Sequence, residues 1–362
     1  MVYPLSVFSD SEDEDNVQYP TYRDDHPHAE HLVSGYYYDD DGVALLVGNV
    51  VYKIARSRLV QDSPVFRDMF ALGDGTTGDF EGTLNKPVVL GDTDVVAFED
   101  YLWILHERTP AVEKFTRSEA NYLKFRRLLH IALLTHKYRN AALYSWAIGH
   151  CYRILASRAV PLFEPFVGLV IAVINLLRPG GRTRAAFEAA VMEYLDGKPA
   201  STSSTNECSR SQLLQNIDVV ALMGACDTHG LGKLATETRY ALLRIHTGAL
   251  RNLDPRLTAP QLRELRAARL AMHRRWARIR VQLATLGQRY NVRFACLQPL
   301  GAECNPCDLR TLLDAILPHV EAFCGLPRVA EPDRRIRDII LRERKTLRDH
   351  LELYFECGAP RA

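Results

Sequence analysis

The residues best suited to chemistry are the thiols and imidazoles of the final third. Cys304 and Cys307 form a single C-x-x-C, "CNPC", with Cys296, His319 and Cys324 in the neighbourhood. A structural zinc needs four ligands at supportable spacing, and only one such knuckle is present, so zinc is not expected. A redox role would want the pair where a strand runs into a helix. Here the pair stands in a loop before "LRTLLDAIL". His26, His28 and His31 lie in an acidic segment and read as a solvated cluster. "GDGTTGDFEG" (73–82) is glycine-rich but lacks the Gly-Lys-Ser/Thr ending of a phosphate cradle, which argues against nucleotide binding there. No paired carboxylates, Ser-His-Asp order or metal-binding helix motif stands out. The chain therefore reads as non-enzymatic, with no cofactor.

Charge supplies the remaining candidates. In "SDSEDED", Ser9 and Ser11 each have an acidic residue three positions on, the setting that acid-directed kinases favour. Phosphate would deepen a charge already negative. Near the other end, Arg274, Arg275, Arg278 and Arg280 could sit along phosphates, with binding that weakens steeply in salt. The same stretch, 261–287, carries Leu262, Leu265, Met272, Trp276, Ile279, Leu283 and Leu286 at alternating steps of three and four, with Arg269 in the one gap. That is a heptad stripe on a long helix. A packed helix with a solvated arginine face is the plainer account, and nucleic acid is not the expected partner. The acidic residues 1–31 could instead lie on this face and mask it.

Elements must position these groups. Residues 1–31, rich in Asp, Glu, His and Pro, read as a disordered acidic tail. "YYYDD" and "ALLV" read as strands, and "VVYKI" follows Gly48-Asn49, a two-residue hairpin signal. Ser57 is a candidate N-cap for a short helix, and Ser63-Pro64 starts a second with cap and N1 proline in order. Val65, Phe66, Met69 and Phe70 share one face of that helix. "KPVVL" reads as a short buried strand. Asp92 or Asp94 can cap a helix with Val95, Phe98, Leu102 and Leu105 on one side. After a turn at Pro110, two helices meet around Asn140. A helical extension (151–195), a flexible linker (196–212) and a helical C-terminal domain (213–362) follow, the last helix bearing Ile336, Ile340, Leu347, Leu351 and Phe355 on one face.

The 362 residues are 47% hydrophobic and 25% charged, ordinary for a soluble globular protein, and the net charge of +1 points to neither nucleic acid nor membrane. The longest apolar run, Phe166 to Leu177, falls short of the ~20 residues of a spanning helix and reads as a core helix. The opening "MVYPLSVFSDSEDED" lacks the pattern of a secretory signal. Reduced thiols in the cytoplasm or nucleus are the expectation.

The order of elements in 32–150, with "DGVALLVGNVVYKIARSRLVQDSPVFRDMF", resembles the BTB (POZ) domain. Asp41, Arg56, Leu59, Ser63, Phe66, Met69 and Phe70 stand at the family's pattern positions. The wording "SRL…DSPVFRDMFAL", followed by an all-helical continuation, is most similar to BTB proteins of mushroom-forming fungi. The resemblance implies an α+β domain, a small mixed sheet carrying a cluster of helices, that pairs with a second copy of itself. It also implies a substrate adaptor that recruits a cullin scaffold of a ubiquitin ligase, with Phe80, Glu81 and Tyr101 near the scaffold surface. The alternative it implies is a nuclear transcriptional or chromatin regulator, working here through the arginine-rich helix. An unknown protein client would meet the C-terminal helices, and no membrane is involved. Three departures stand out: Ala55 where a His is usual, "HERTP" in place of Tyr-Thr-Gly, and Phe80-Glu81-Gly82 one position out of step with the cullin-contact element.

Overall fold

A computed structural model describes residues 32–37, 42–73, 82–163, 165–196, 217–245, 255–291 and 308–355. The chain forms two compact units. One takes residues up to Arg117 together with His130–Ser145; the other takes Ser118–Leu129 and everything from Trp146 on. The boundary expected at 150 therefore falls inside a helix. Residues 1–31, and all of 196–212 except Asp196, lie outside the described residues.

The first unit is built on a four-stranded mixed sheet. Strands β2 (Gly42–Val47) and β3 (Val50–Ala55) pair antiparallel from Gly42↔Ala55 to Val47↔Val50. Gly48 turns the hairpin at φ +57°, a left-handed conformation that costs glycine little. Strands β1 (Leu32–Tyr37) and β4 (Val88–Val89) flank the hairpin in parallel, giving the order β1-β3-β2-β4. Being internal, β2 buries Val43, Ala44, Leu45 and Val47, on both its faces. An apolar run without clean alternation is the consequence. Of "YYYDD", only Tyr36 and Tyr37 belong to β1, which starts earlier than expected. The "KPVVL" strand is an edge and not buried: its Val89 is 67% exposed, because β4 has a neighbour on one side only.

Helix α1 (Arg56–Val60) begins one residue before Ser57, which thus lies in its first turn and is not the cap. Helix α2 (Pro64–Gly73) starts as expected, with the Phe66 amide donating to Ser63 Oγ at 3.3 Å. Helix α3 (Val95–His106) is capped by Asp94, whose Oδ1 accepts from the Ala97 amide at 2.9 Å. Asp92 instead takes φ +54° in the preceding turn. The turn expected at Pro110 is a further helix, α4 (Thr109–Arg117). Proline in a first turn sacrifices no helical hydrogen bond, and Phe115 returns to pack against Trp103, the ring centroids 4.8 Å apart and the planes tilted by 56°. Helices α5 (Tyr122–Lys137) and α6 (Ala141–Ser157) meet around Asn140, whose Oδ1 accepts from the Leu143 amide.

The second unit is mostly helical in its described residues, with one isolated parallel bridge between Leu162 and Ile217. Helix α7 (Phe166–Leu176) buries Phe166, Val167, Val170, Ile171, Val173 and Ile174, as a core helix should. No described helix is long and apolar enough to cross a membrane. Helix α8 (Arg182–Asp196) and the hairpin of α9 (Val219–Thr228) and α10 (Gly232–Ile245) follow. Helix α11 (Ala259–Tyr290) opens on a capping box of Thr258 and Gln261 and stops at Asn291, left-handed at φ 52°. It buries Leu265, Ala268, Met272, Trp276, Ile279, Leu283 and Leu286. Ala268 fills the gap assigned to Arg269, and Leu262 is half-buried. Helices α12 (Leu309–Cys324) and α13 (Glu331–Asp349) follow, and a 3-10 turn, Leu351–Tyr354, succeeds α13. That turn breaks the expected stripe: Tyr354 enters the core in place of Phe355, which is half-buried.

Candidate functional site

Tyr101 cannot meet a scaffold. It is 0% exposed, its ring 5.4 Å from that of Tyr138 and 6.3 Å from that of Phe98. Burial, followed by the nearby Tyr138, pushes its phenol well above the ordinary tyrosine pKa. The expected surface residue is a core residue. Helix α3 is buried around most of its girth (Ala97, Phe98, Asp100, Tyr101, Leu102 and Ile104), and a one-stripe reading does not anticipate that. Phe80, Glu81, Ser9, Ser11, His26, His28, His31, Cys296, Cys304 and Cys307 lie outside the described residues. His319 is exposed and Cys324 half-buried. Among the described residues no group of three or more His, Cys, Asp or Glu is placed to hold a metal.

The residues that carry the family resemblance interlock. Arg56 Nη2 donates to the Phe70 carbonyl at 3.1 Å, and its guanidinium lies 5.5 Å from the Phe70 ring centroid. Leu59 and Phe66 are buried. Ser63 Oγ, besides capping α2, donates to the carbonyl of Tyr138 at 2.6 Å, and Phe66 packs on the Tyr138 ring at 4.4 Å. One cluster thus ties α1, α2 and the end of α5. Beside it, His130 Nδ1 and Asp100 Oδ2 lie 2.8 Å apart, both buried. The pair joins α5 to α3.

The arginines of α11 separate into two groups. Arg275 is held by packing: Nη1 contacts both Glu343 oxygens at 2.7 and 2.8 Å, and the guanidinium lies 4.6 Å from the Tyr354 ring centroid. Tyr354 closes the set with a hydrogen bond to Glu343. Arg275 therefore leaves the expected phosphate-facing row. Arg274, Arg278 and Arg280 are exposed, as are Arg263 and Arg266, and none has an ion pair among the described residues. Leu270 (51% exposed) and Val281 (64%) share that outer side. The helix's one acid, Glu264, is engaged by Arg239 at 3.1 Å.

A second basic feature was not anticipated. Helices α8, α10, α12 and α13 enclose an open cleft of about 540 Å³. Its pillar is Arg310, which holds Glu237 at 2.8 and 2.9 Å, donates to the Leu347 carbonyl at 2.7 Å and lies over the Tyr240 ring. Arg344 engages Asp314 at 2.5 Å. Lys233 and Lys345 stand at the same cleft, exposed and without an ion pair among the described residues. Arg348, also lining it, pairs among the described residues with its neighbour Asp349 alone. Arg344, Lys345 and Arg348 could have been noticed as a basic last turn and a half of a helix. Nothing local in the sequence points to Lys233 or Arg310.

No protein-family model, curated protein or solved structure matches the chain.

Proposed function

We propose that this is a non-catalytic interaction protein of the BTB type, one that self-associates through its first unit and offers a partner surface on its helical second unit. The observation that supports this best is the interlocking of Arg56, Ser63, Phe66 and Phe70 with Tyr138, because the residues that prompt the resemblance also hold α1 and α2 together. The hairpin, the two short helices and a strand returning parallel to β2 come in the order that the resemblance implies. Light scattering of the full chain after size exclusion tests self-association. A mass near twice 41.0 kDa is expected, and a single-chain mass at every concentration overturns it. Recruitment of a cullin scaffold would rest on Phe80 and Glu81 alone. Co-purification from cells with the ligase cycle arrested is its test, and failure to recover any cullin removes it.

A second reading is favoured by the five exposed arginines of α11 that make no ion pair among the described residues: a nuclear regulator that contacts nucleic acid. Each phosphate neutralised steepens the salt dependence, so binding to a DNA duplex through this helix should fall by a factor of about 10 to 1,000 between 50 and 200 mM salt. Salt-insensitive binding, or none at low salt, rules it out.

A further inference from the structure

We propose that the cleft between α10, α12 and α13 is a binding site for a small polyphosphorylated molecule. Charge accounting leads there first. Two carboxylates line the cleft, Glu237 and Asp314, and both are already engaged, by Arg310 and Arg344. Among the described residues Lys233 and Lys345 make no ion pair, and Asp349, paired with Arg348, is the one further acid near Lys345, so the cations at the cleft still outnumber the acids. Like charges gathered at one concavity repel, and an anion converts that cost into attraction.

The placement of Lys233 sharpens the inference. It is the second residue of α10, in the turn where the positive end of the helix dipole disfavours a cation and favours an anion. Its natural intrahelical partner, Glu237 four residues on, is held by Arg310 instead. Lys345 and Arg348 near the end of α13 are, by contrast, where a cation suits the dipole, so their presence alone would mean little. An anion set between the two helices would satisfy both ends.

Size and shape choose among anions. A volume of about 540 Å³ is that of a small-molecule site and exceeds what a single phosphate fills. The cations from α13 fall within about one helical turn, some 5 Å of rise, so they form a compact cluster and not a row along which an acidic peptide would extend. Met192 and Leu341 give the cleft apolar lining against which a carbon or phosphoanhydride framework can rest. Lysines, as flexible point charges, suit phosphates presented at several angles.

Isothermal titration of the full chain with inorganic tripolyphosphate tests this, with inorganic phosphate and a poly-glutamate peptide as comparisons. One site per chain is expected, with inorganic phosphate at least tenfold weaker. The doubly reversed chain Lys233→Glu/Lys345→Glu, both positions exposed, should keep its circular dichroism and melting temperature yet lose at least tenfold in affinity. Absence of saturable binding overturns the proposal. So does binding undiminished in the reversed chain, or lost instead in Arg274→Glu/Arg278→Glu/Arg280→Glu, which would move the site to α11. Poly-glutamate binding as tightly as tripolyphosphate would make the cleft a peptide groove, and this too overturns it.

Discussion

Replacing Ser63 by alanine should loosen two elements at once. The residue is 1% exposed, and its hydroxyl donates to the Tyr138 carbonyl at 2.6 Å and accepts from the Phe66 amide at 3.3 Å. Losing an N-cap costs about 1 kcal/mol. A buried carbonyl left without its donor costs about 1–3 kcal/mol more. The long cap bond places the sum near the middle, about 2–3 kcal/mol. Native-state hydrogen exchange read by mass spectrometry suits a chain of two units, since it reports each segment without assuming one global transition. Peptides from α2 and from residues 130–138 should exchange roughly 30- to 150-fold faster, at 1.4 kcal/mol per factor of ten. Pro64→Ala, which keeps the cap, serves as the control and should change exchange only about twofold. If Ser63→Ala accelerates neither segment by more than about twofold, the tie does not exist. If α2 alone responds, Ser63 is a local cap and the link to α5 is refuted.

Three further outcomes are expected. Arg310→Met strands the Glu237 carboxylate, 15% exposed, and the Leu347 carbonyl; unfolding in urea should show a loss of about 2–4 kcal/mol, with Arg310→Met/Glu237→Leu recovering part of it. His150 is buried, with the Arg153 and Lys124 charges beside it, which pulls its pKa from 6.5 to about 4. The folded chain then binds fewer protons than the unfolded one in that window, so stability is full above pH 6.5 and falls as pH drops toward 4. Discounted for solvent screening, the loss is about 1–2 kcal/mol, and a pH series of unfolding free energies should show it in the wild type and not in His150→Gln. On α11, Arg274→Ala/Arg278→Ala/Arg280→Ala should leave stability within about 0.5 kcal/mol, whereas Trp276→Ala on the opposite side should cost about 3–5 kcal/mol by calorimetry or denaturant.

How much of this could be read beforehand depended on range. The Gly48-Asn49 turn, the Ser63 cap and the Phe66/Phe70 face are written within a few residues of where they act, and the structure has them where they were expected. The stripe of α11 was likewise legible, apart from Ala268 for Arg269, a slip that follows from stepping a 3.5-residue repeat along a 3.6-residue helix. Helix α4 was missed because a proline can open a helix as readily as it ends one. Tyr101 was misplaced because burial on several sides of α3 depends on distant partners, Tyr138 above all. The cleft escaped notice for the same reason: Lys233, Arg310 and Lys345 are brought to one place only by the packing of three helices.

Helices α5 and α6 each contribute to both compact units, and this limits how the molecule can be dissected. A recombinant piece ending at 150 would retain Phe125 but discard Phe166, the ring stacked 6.0 Å from it, and both are almost wholly sheltered from water in the intact chain. A piece beginning at 151 would carry the opposite wound. Each fragment would display to solvent, and to proteases or chaperones, a greasy scar that the uncut polypeptide never shows. Limited digestion should accordingly spare the stretch from 122 to 157, and working truncations will have to be cut beyond it.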